Sequence, residues 1–245
     1  SSRTISYTMT ILGSILEQAV KDDIIPKNYM KNIDRPKQVK VRHMVTLSVD
    51  EVKSFLSNIS NSEHHALFKL AFATGMRRSE LLGLRWSDID FKKSTISISQ
   101  TALKIGSTAV ISNTTKTTSS KRIIAIDADT LQEIMKHKTV IDKRRIKTMN
   151  WINNNLVFPG IKGGPRCPDE VSKLCKKYAN LIGKPTFTMH GTRHTHATLL
   201  IENGANMKAI QERLGHASFQ ETMDTYSHVT PKMEDDIVER ISKIF

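Results

Sequence analysis

The sequence predicts a mainly α protein with one small antiparallel three-stranded β-sheet, an α+β class. Three observations predict it. Apolar residues recur at helical spacing through the first part of the chain. Between residues 96 and 126 the period changes to two. After Leu131 the helical pattern returns and dominates to the end.

Residues 3 to 33 read as one or two helices, because Ile5, Met9, Leu12, Ile15, Leu16 and Val20 recur at helical spacing until Asp22-Asp23 and Pro26 break it. That is short of a full domain. Residues 34 to 46 form a basic, proline-containing linker, which either runs along phosphates or is simply solvated. From residue 47 the chain reads as one globular unit. Ser48 with Glu51 three residues on has the spacing of a capping box. A second helix carries Leu67, Leu70, Ala71 and Thr74 and stops at Gly75; a third, short one begins near Arg78 and carries Leu81 and Leu82. The three strands are expected around Ile96 and Ile98, around Ala109 and Ile111, and around Ile123, Ile124 and Ile126, the last after a polar turn. Leu131, Ile134 and Met135 open the return to helix, with a short extended interruption at residues 156 to 160. Near the end, Thr230 and Pro231 have the types of an N-cap and first helical residue. Met233, Ile237, Ile241 and Ile244 then make an apolar stripe, which in the ordinary reading packs on its own domain.

The chain has 245 residues, 38% of them hydrophobic, enough for one or two packed domains. Its formal net charge of +13 points to a polyanionic partner, with general basicity as the ordinary alternative. No stretch approaches the roughly 18 apolar residues of a membrane helix. The two cysteines, Cys167 and Cys175, are too few for a disulfide framework and fit reduced thiols in a cytosol.

The chemistry lies in an ordered set: Arg77, then Lys116, then His190 and Arg193 as His-x-x-Arg, then His216, then Tyr226. Two guanidiniums can hold non-bridging phosphate oxygens by forked hydrogen bonds, and a phenol can attack phosphorus and keep the phosphoryl group covalently. The set suits a phosphodiester. Glu80 lies three residues after Arg77, so on a helix it can brace that side chain. Lys116 falls in the polar turn between two expected strands, with Lys104 and Lys121 as competitors for a proton-donating role. Each residue also has an ordinary reading: surface charge for Arg77, a solvated lysine for Lys116, packing for Tyr226. His190 and His194 have the i, i+4 spacing of a zinc helix, but Gly191 stands where the zincin motif needs Glu. A metal is therefore disfavoured, and His194 and His196 read as structural, satisfied by backbone groups. Gly215 suits a helix C-terminus and places His216 in the turn that follows.

The order and the stretches Ala73 to Trp86 (ATGMRRSELLGLRW), Lys116 to Arg122 (KTTSSKR), His190 to Leu200 (HGTRHTHATLL) and Leu214 to Val229 (LGHASFQETMDTYSHV) resemble the catalytic domain of the tyrosine recombinases, the phage and integrative-element integrases. The resemblance implies a truncated helical core-binding domain at residues 1 to 33, a linker at 34 to 46 and a catalytic domain at 47 to 245. It implies site-specific cleavage and rejoining of double-stranded DNA through a 3′-phosphotyrosine, without metal, ATP or other cofactor. Arg77 and Arg193 would clamp the scissile phosphate, Lys116 would protonate the leaving 5′ oxygen and His190 would take the tyrosine proton. His216 would hydrogen-bond the transition state, Tyr226 would be the nucleophile, and Glu80 would orient Arg77. The implied partners are core or attachment-site DNA, three further copies of the chain on that DNA but weak or no self-association without it, and accessory directionality and DNA-bending proteins; on a neighbouring copy the stripe from Met233 to Ile244 would dock, as the alternative to its own domain. The implied setting is a bacterial cytosol or nucleoid, with no membrane, and the implied biology is integration or excision of a mobile element or prophage. Gly191-Thr192 departs from the acidic residue and Leu often found there. A type IB topoisomerase shares the chemistry and stands as the nearest rival; a DNA-binding regulator without catalysis is the rival from another class.

Overall fold

A computed structural model describes residues 2–36, 45–112 and 121–216. The chain divides into two compact units, Ser1–His43 and Met44–Phe245.

In the first unit, α1 (Ser2–Lys21) carries the expected helical run, with Lys21 in its last turn, where a cation suits the helix dipole. A short 3₁₀ helix, Tyr29–Asn32, follows. Asn28 caps it and folds it back on α1: its Nδ2 donates to the Gly13 carbonyl at 2.9 Å and to Glu17 Oε2 at 2.8 Å.

The second unit is built round α3 (Ser62–Thr74). Ala66, Leu67, Phe68, Leu70, Ala71 and Phe72 are all buried, so α3 is apolar on nearly every side and sits at the centre. α2 (Val49–Ser57) begins with the capping box expected from Ser48 and Glu51. It brings Phe55 edge-on to Phe68, with centroids 5.1 Å apart, and to Phe72 at 5.5 Å. Tyr178 of α6 (Pro168–Leu181) meets Phe55 at 6.0 Å, and Phe187 stacks on Phe72. Edge-to-face aromatic pairs of this kind add to the burial that holds three helices on one core.

The three-stranded antiparallel sheet is present, with a different membership. Its order is β1 (Ile89–Asp90), β2 (Thr95–Ile98), β5 (Arg122–Ala125), with Ile96 opposite Ile124. The strand expected around Ala109 and Ile111, β4 (Thr108–Ser112), pairs instead with β3 (Thr101–Ile105) as a separate hairpin. Alternation along a strand marks strand character and leaves the partner open. The partner is decided by α4 (Arg78–Gly83). Gln100 Nε2 donates to the Gly83 carbonyl at 2.6 Å, and a Cβ on Gly83 would lie 2.8 Å from Thr101 Cα. That close approach seats β3 on α4 and leaves β2 to pair with β5. The polar turn that carries Lys116, between β4 and β5 in the chain, lies outside the described residues.

α5 (Ala128–Lys147) is capped by Asp127 and packs on α3. The extended interruption follows it: Leu156 bridges Arg85, and the Val157 amide donates to the Leu84 carbonyl at 2.8 Å. α7 (Met189–Glu202) and α8 (Met207–Leu214) complete the described residues. Among them, no helix is long and apolar enough to cross a membrane.

Candidate active site

The site begins at the turn between α3 and α4. Gly75 ends α3 in the left-handed conformation, φ 63°, and a Cβ there would lie 2.7 Å from the His196 ring. Glycine is required twice over, for its dihedral and for the close approach of α7. The turn sets Arg77 at the N-cap of α4. Its backbone amide donates to Glu80 Oε2 and its Nη1 to Glu80 Oε1, both at 2.9 Å. Its Nη2 donates to the Gly215 carbonyl at 3.0 Å. The brace expected from the i, i+3 spacing is therefore formed, and a second hold comes from the far end of the unit.

Glu80 is only 2% exposed. Burial by itself raises its pKa, but the Arg122 guanidinium and then Arg77 outweigh that and keep it below the usual carboxylate range. Arg122 donates from Nη1 and Nη2 to the two Glu80 oxygens at 3.1 and 2.8 Å, and from Nε to the Arg213 carbonyl at 2.6 Å. Sequence reasoning passed over this arginine as a site residue. In the sequence Arg122 is only the end of the Lys116 to Arg122 stretch, and no local spacing ties β5 to α4.

α7 supplies the second guanidinium. Arg193 is 2% exposed and its Nη1 donates to the Gly75 carbonyl at 3.0 Å. Both arginines are thus fastened to one turn. α7 is a buried helix dressed with polar groups, Thr192, His194, Thr195, His196 and Thr198 among them. His196 accounts for part of this: its Nδ1 bonds the Phe72 carbonyl at 2.8 Å, and Arg213 Nε donates to its Nε2 at 3.0 Å. That fixes a neutral imidazole with its proton on Nδ1. Burial and then the neighbouring Arg213 push its pKa down to about 4. The structural reading of His196 holds, and Arg213 Nη2 also donates to the Ala73 carbonyl at 2.9 Å, binding α8 to α3.

His190, on the first turn of α7, meets the His194 ring edge-on at 4.4 Å and is exposed as a residue. Partial burial of its ring, then Arg193 and Arg77, lower its pKa. His216 follows Gly215, which ends α8 with φ 67° as expected. It is 8% exposed, and burial followed by Arg193, Arg77, Arg122 and His190 brings its pKa to about 4. Near neutral pH the arrangement presents two guanidiniums beside two uncharged imidazoles. One imidazole is open enough to take a proton. A cleft of about 380 Å³ opens beside Arg77 and His190, lined also by Arg78, Ser79, Ser172 and Thr188.

Arg77, Glu80, His190, Arg193 and His216 are thus brought together. Lys116, Tyr226 and the apolar stripe from Met233 to Ile244 lie outside the described residues. Of the competitors to Lys116, Lys104 is paired with Asp169 at 2.6 Å and Lys121 is exposed. Among the described residues no group of three His, Cys, Asp or Glu gathers as a metal site would.

The fold and this cluster of cations define a class, the tyrosine-type site-specific recombinases, which are DNA strand transferases. The chain belongs to the phage integrase family, whose model matches residues 46–233. It is 29% identical, over its whole length, to a XerC-like tyrosine recombinase of Caldanaerobacter subterraneus, and spans 67% of that protein. It is 26% identical to the ICEBs1 integrase of Bacillus subtilis, again over its whole length, and spans 66% of it. Among solved structures, the integrase of transposon Tn1549 in complex with a circular intermediate DNA superposes with a TM-score of 0.79 at 25% identity. That match covers 98% of this chain and 80% of the integrase.

Proposed function

We propose that this chain is the DNA-cutting portion of a mobile-element integrase that breaks and rejoins duplex DNA through Tyr226. The observation that carries the reading is the fastening of Arg77 and Arg193 to a single turn, with His190 and His216 uncharged beside them. In the reaction the Tyr226 phenol oxygen attacks the scissile phosphorus and the bond to the 5′ oxygen breaks. His190 receives the phenol proton and Lys116 gives one to the departing 5′ oxygen. Arg77 and Arg193 hold the non-bridging oxygens, where charge concentrates in the transition state, and His216 donates a hydrogen bond to the same group. Cations already fixed by Glu80, Gly215 and Gly75 need no reorganisation as that charge develops. The phosphotyrosine conserves the phosphodiester energy, so a 5′-hydroxyl from another strand reverses the attack without ATP.

Double-stranded attachment-site DNA is the substrate, supported by the +13 charge and by the DNA-bound Tn1549 integrase. Residues 1–33 serve as the end of a core-binding domain, 34–46 as its linker and 47–245 as the catalytic domain. Four copies assemble on DNA, with accessory directionality and DNA-bending proteins setting the outcome, in a bacterial cytosol or nucleoid. The test mixes the full-length protein, in EDTA, with nicked duplexes carrying the element's attachment ends. An SDS-resistant adduct, lost in Tyr226→Phe, is expected. Tight binding without any adduct would favour a non-cleaving DNA-binding protein, and relaxation of one duplex without exchange between two would favour a topoisomerase.

A further inference from the structure

We infer that Arg122 is a positioning residue for the phosphate clamp, setting Arg77 through Glu80 and His216 through the Arg213 carbonyl. The inference rests on the reading above, in which Arg77 and His216 serve one phosphate. Its basis is the division of one guanidinium between two tasks. Each Glu80 oxygen takes one bond from Arg122 and one from Arg77: Oε1 from the two Nη1 atoms, Oε2 from Arg122 Nη2 and the Arg77 amide. Arg122 therefore fixes the plane of the carboxylate on which Arg77 lies. Its Nε meanwhile holds the Arg213 carbonyl at 2.6 Å, in the last turn of α8 just before Gly215 and His216. Gly215 packs against the same side chain, since a Cβ there would lie 3.0 Å from Arg122 Nη1. The Arg122 side chain is 7% exposed, and it opens β5, the strand that follows the segment bearing Lys116. Elements that supply the clamp thus converge on one planar, permanently charged group. A lysine keeps the charge but is a point donor on a flexible stem, and cannot span Glu80 and the Arg213 carbonyl together.

The experiment measures single-turnover adduct formation by the full-length protein on nicked attachment-site duplexes. The parent, Arg122→Lys, Arg77→Ala and the double variant are compared, with DNA affinity and thermal unfolding followed in parallel. Arg122→Lys should slow adduct formation about 10- to 100-fold, the scale of a misplaced reacting group, with DNA affinity changed by less than about threefold if the loss lies in transition-state positioning. In the Arg77→Ala background the same substitution should cost several-fold less than in the parent, because the route through Glu80 is already lost and only the one through the Arg213 carbonyl remains. Equal losses in both backgrounds would overturn the inference in favour of a merely structural role, as would parental rates in Arg122→Lys. If the parent itself forms no adduct, the recombinase reading fails and this inference with it. An active parent separates the two. The parallel thermal unfolding, run at a temperature where Arg122→Lys remains folded, separates a loss of positioning from a loss of fold.

Discussion

The Gly215 carbonyl accepts a hydrogen bond from Arg77 Nη2 at 3.0 Å, across 138 residues of chain. One peptide unit therefore both ends α8, so that His216 can follow in a turn, and holds the first arginine of the site. The end of α8 and the start of α4 cannot move independently of the clamp.

Gly215→Ala tests that coupling. The left-handed φ of 67° costs an L-residue about 1–2 kcal/mol, and the new Cβ would press on Arg122. Urea unfolding should show a loss of that size. Adduct formation should slow several-fold beyond it, because the Gly215 carbonyl shifts away from Arg77. Parental cleavage kinetics would argue against the coupling.

Gly75→Ala should be worse. The same dihedral penalty applies, and the Cβ would meet the His196 ring at 2.7 Å and Leu214 Cδ2 at 2.9 Å, both packed in the interior. Adding overpacking to the left-handed cost gives about 3 kcal/mol. Chemical denaturation of the two glycine variants side by side should rank Gly75→Ala below Gly215→Ala.

Glu80→Ala removes the one carboxylate shared by Arg77 and Arg122. Breaking a buried ion pair by deleting one partner costs about 3–5 kcal/mol, and Glu80 is 2% exposed. Thermal unfolding should drop accordingly. Glu80→Gln, which keeps the shape and part of the hydrogen bonding, should lose less stability but still slow cleavage.

Stability should depend on pH through His196. Its folded pKa of about 4 lies below the unfolded value of about 6.5. Between those values the unfolded chain binds the extra proton, so stability is full above about pH 6.5 and declines as pH falls towards 4. The loss across that window is on the order of 3 kcal/mol, and His216, displaced in the same direction, adds to it. Urea midpoints at pH 7, 5.5 and 4.5 should fall in that order, and His196→Gln should flatten the trend.

Cleavage should show its acid limb below about pH 6.5, the ordinary histidine value, because His190 takes the phenol proton and its pKa is lowered. Single-turnover adduct formation between pH 5 and 8 would show this. A limb centred above pH 7 would place the base elsewhere.

Much of the helical framework was legible in the sequence because its signals are local. A capping box spans three residues, so Ser48 and Glu51 marked the start of α2. Gly75 and Gly215 marked the ends of α3 and α8 because a left-handed cap favours glycine. The bracing of Arg77 by Glu80 was legible for the same reason, being three residues long. Period-two alternation marked strands, yet it assigned Ala109 and Ile111 to the wrong sheet, since alternation sets a strand's faces and not its partner.

The linear order of residues supplies the inventory: the succession of cations and histidines, the caps, and the change of period that makes the class α+β. Tertiary structure alone decided which of those groups meet. Arg122 reaches Glu80 across 42 residues and Arg193 reaches Gly75 across 118. α7 buries a run of threonines, histidines and an arginine that no hydrophobic periodicity would place inside. The physical reason is range. Propensity and capping act within a turn or two of backbone, whereas the burial that makes Glu80 need two arginines, and that keeps His196 and His216 uncharged, exists only once distant elements exclude water together.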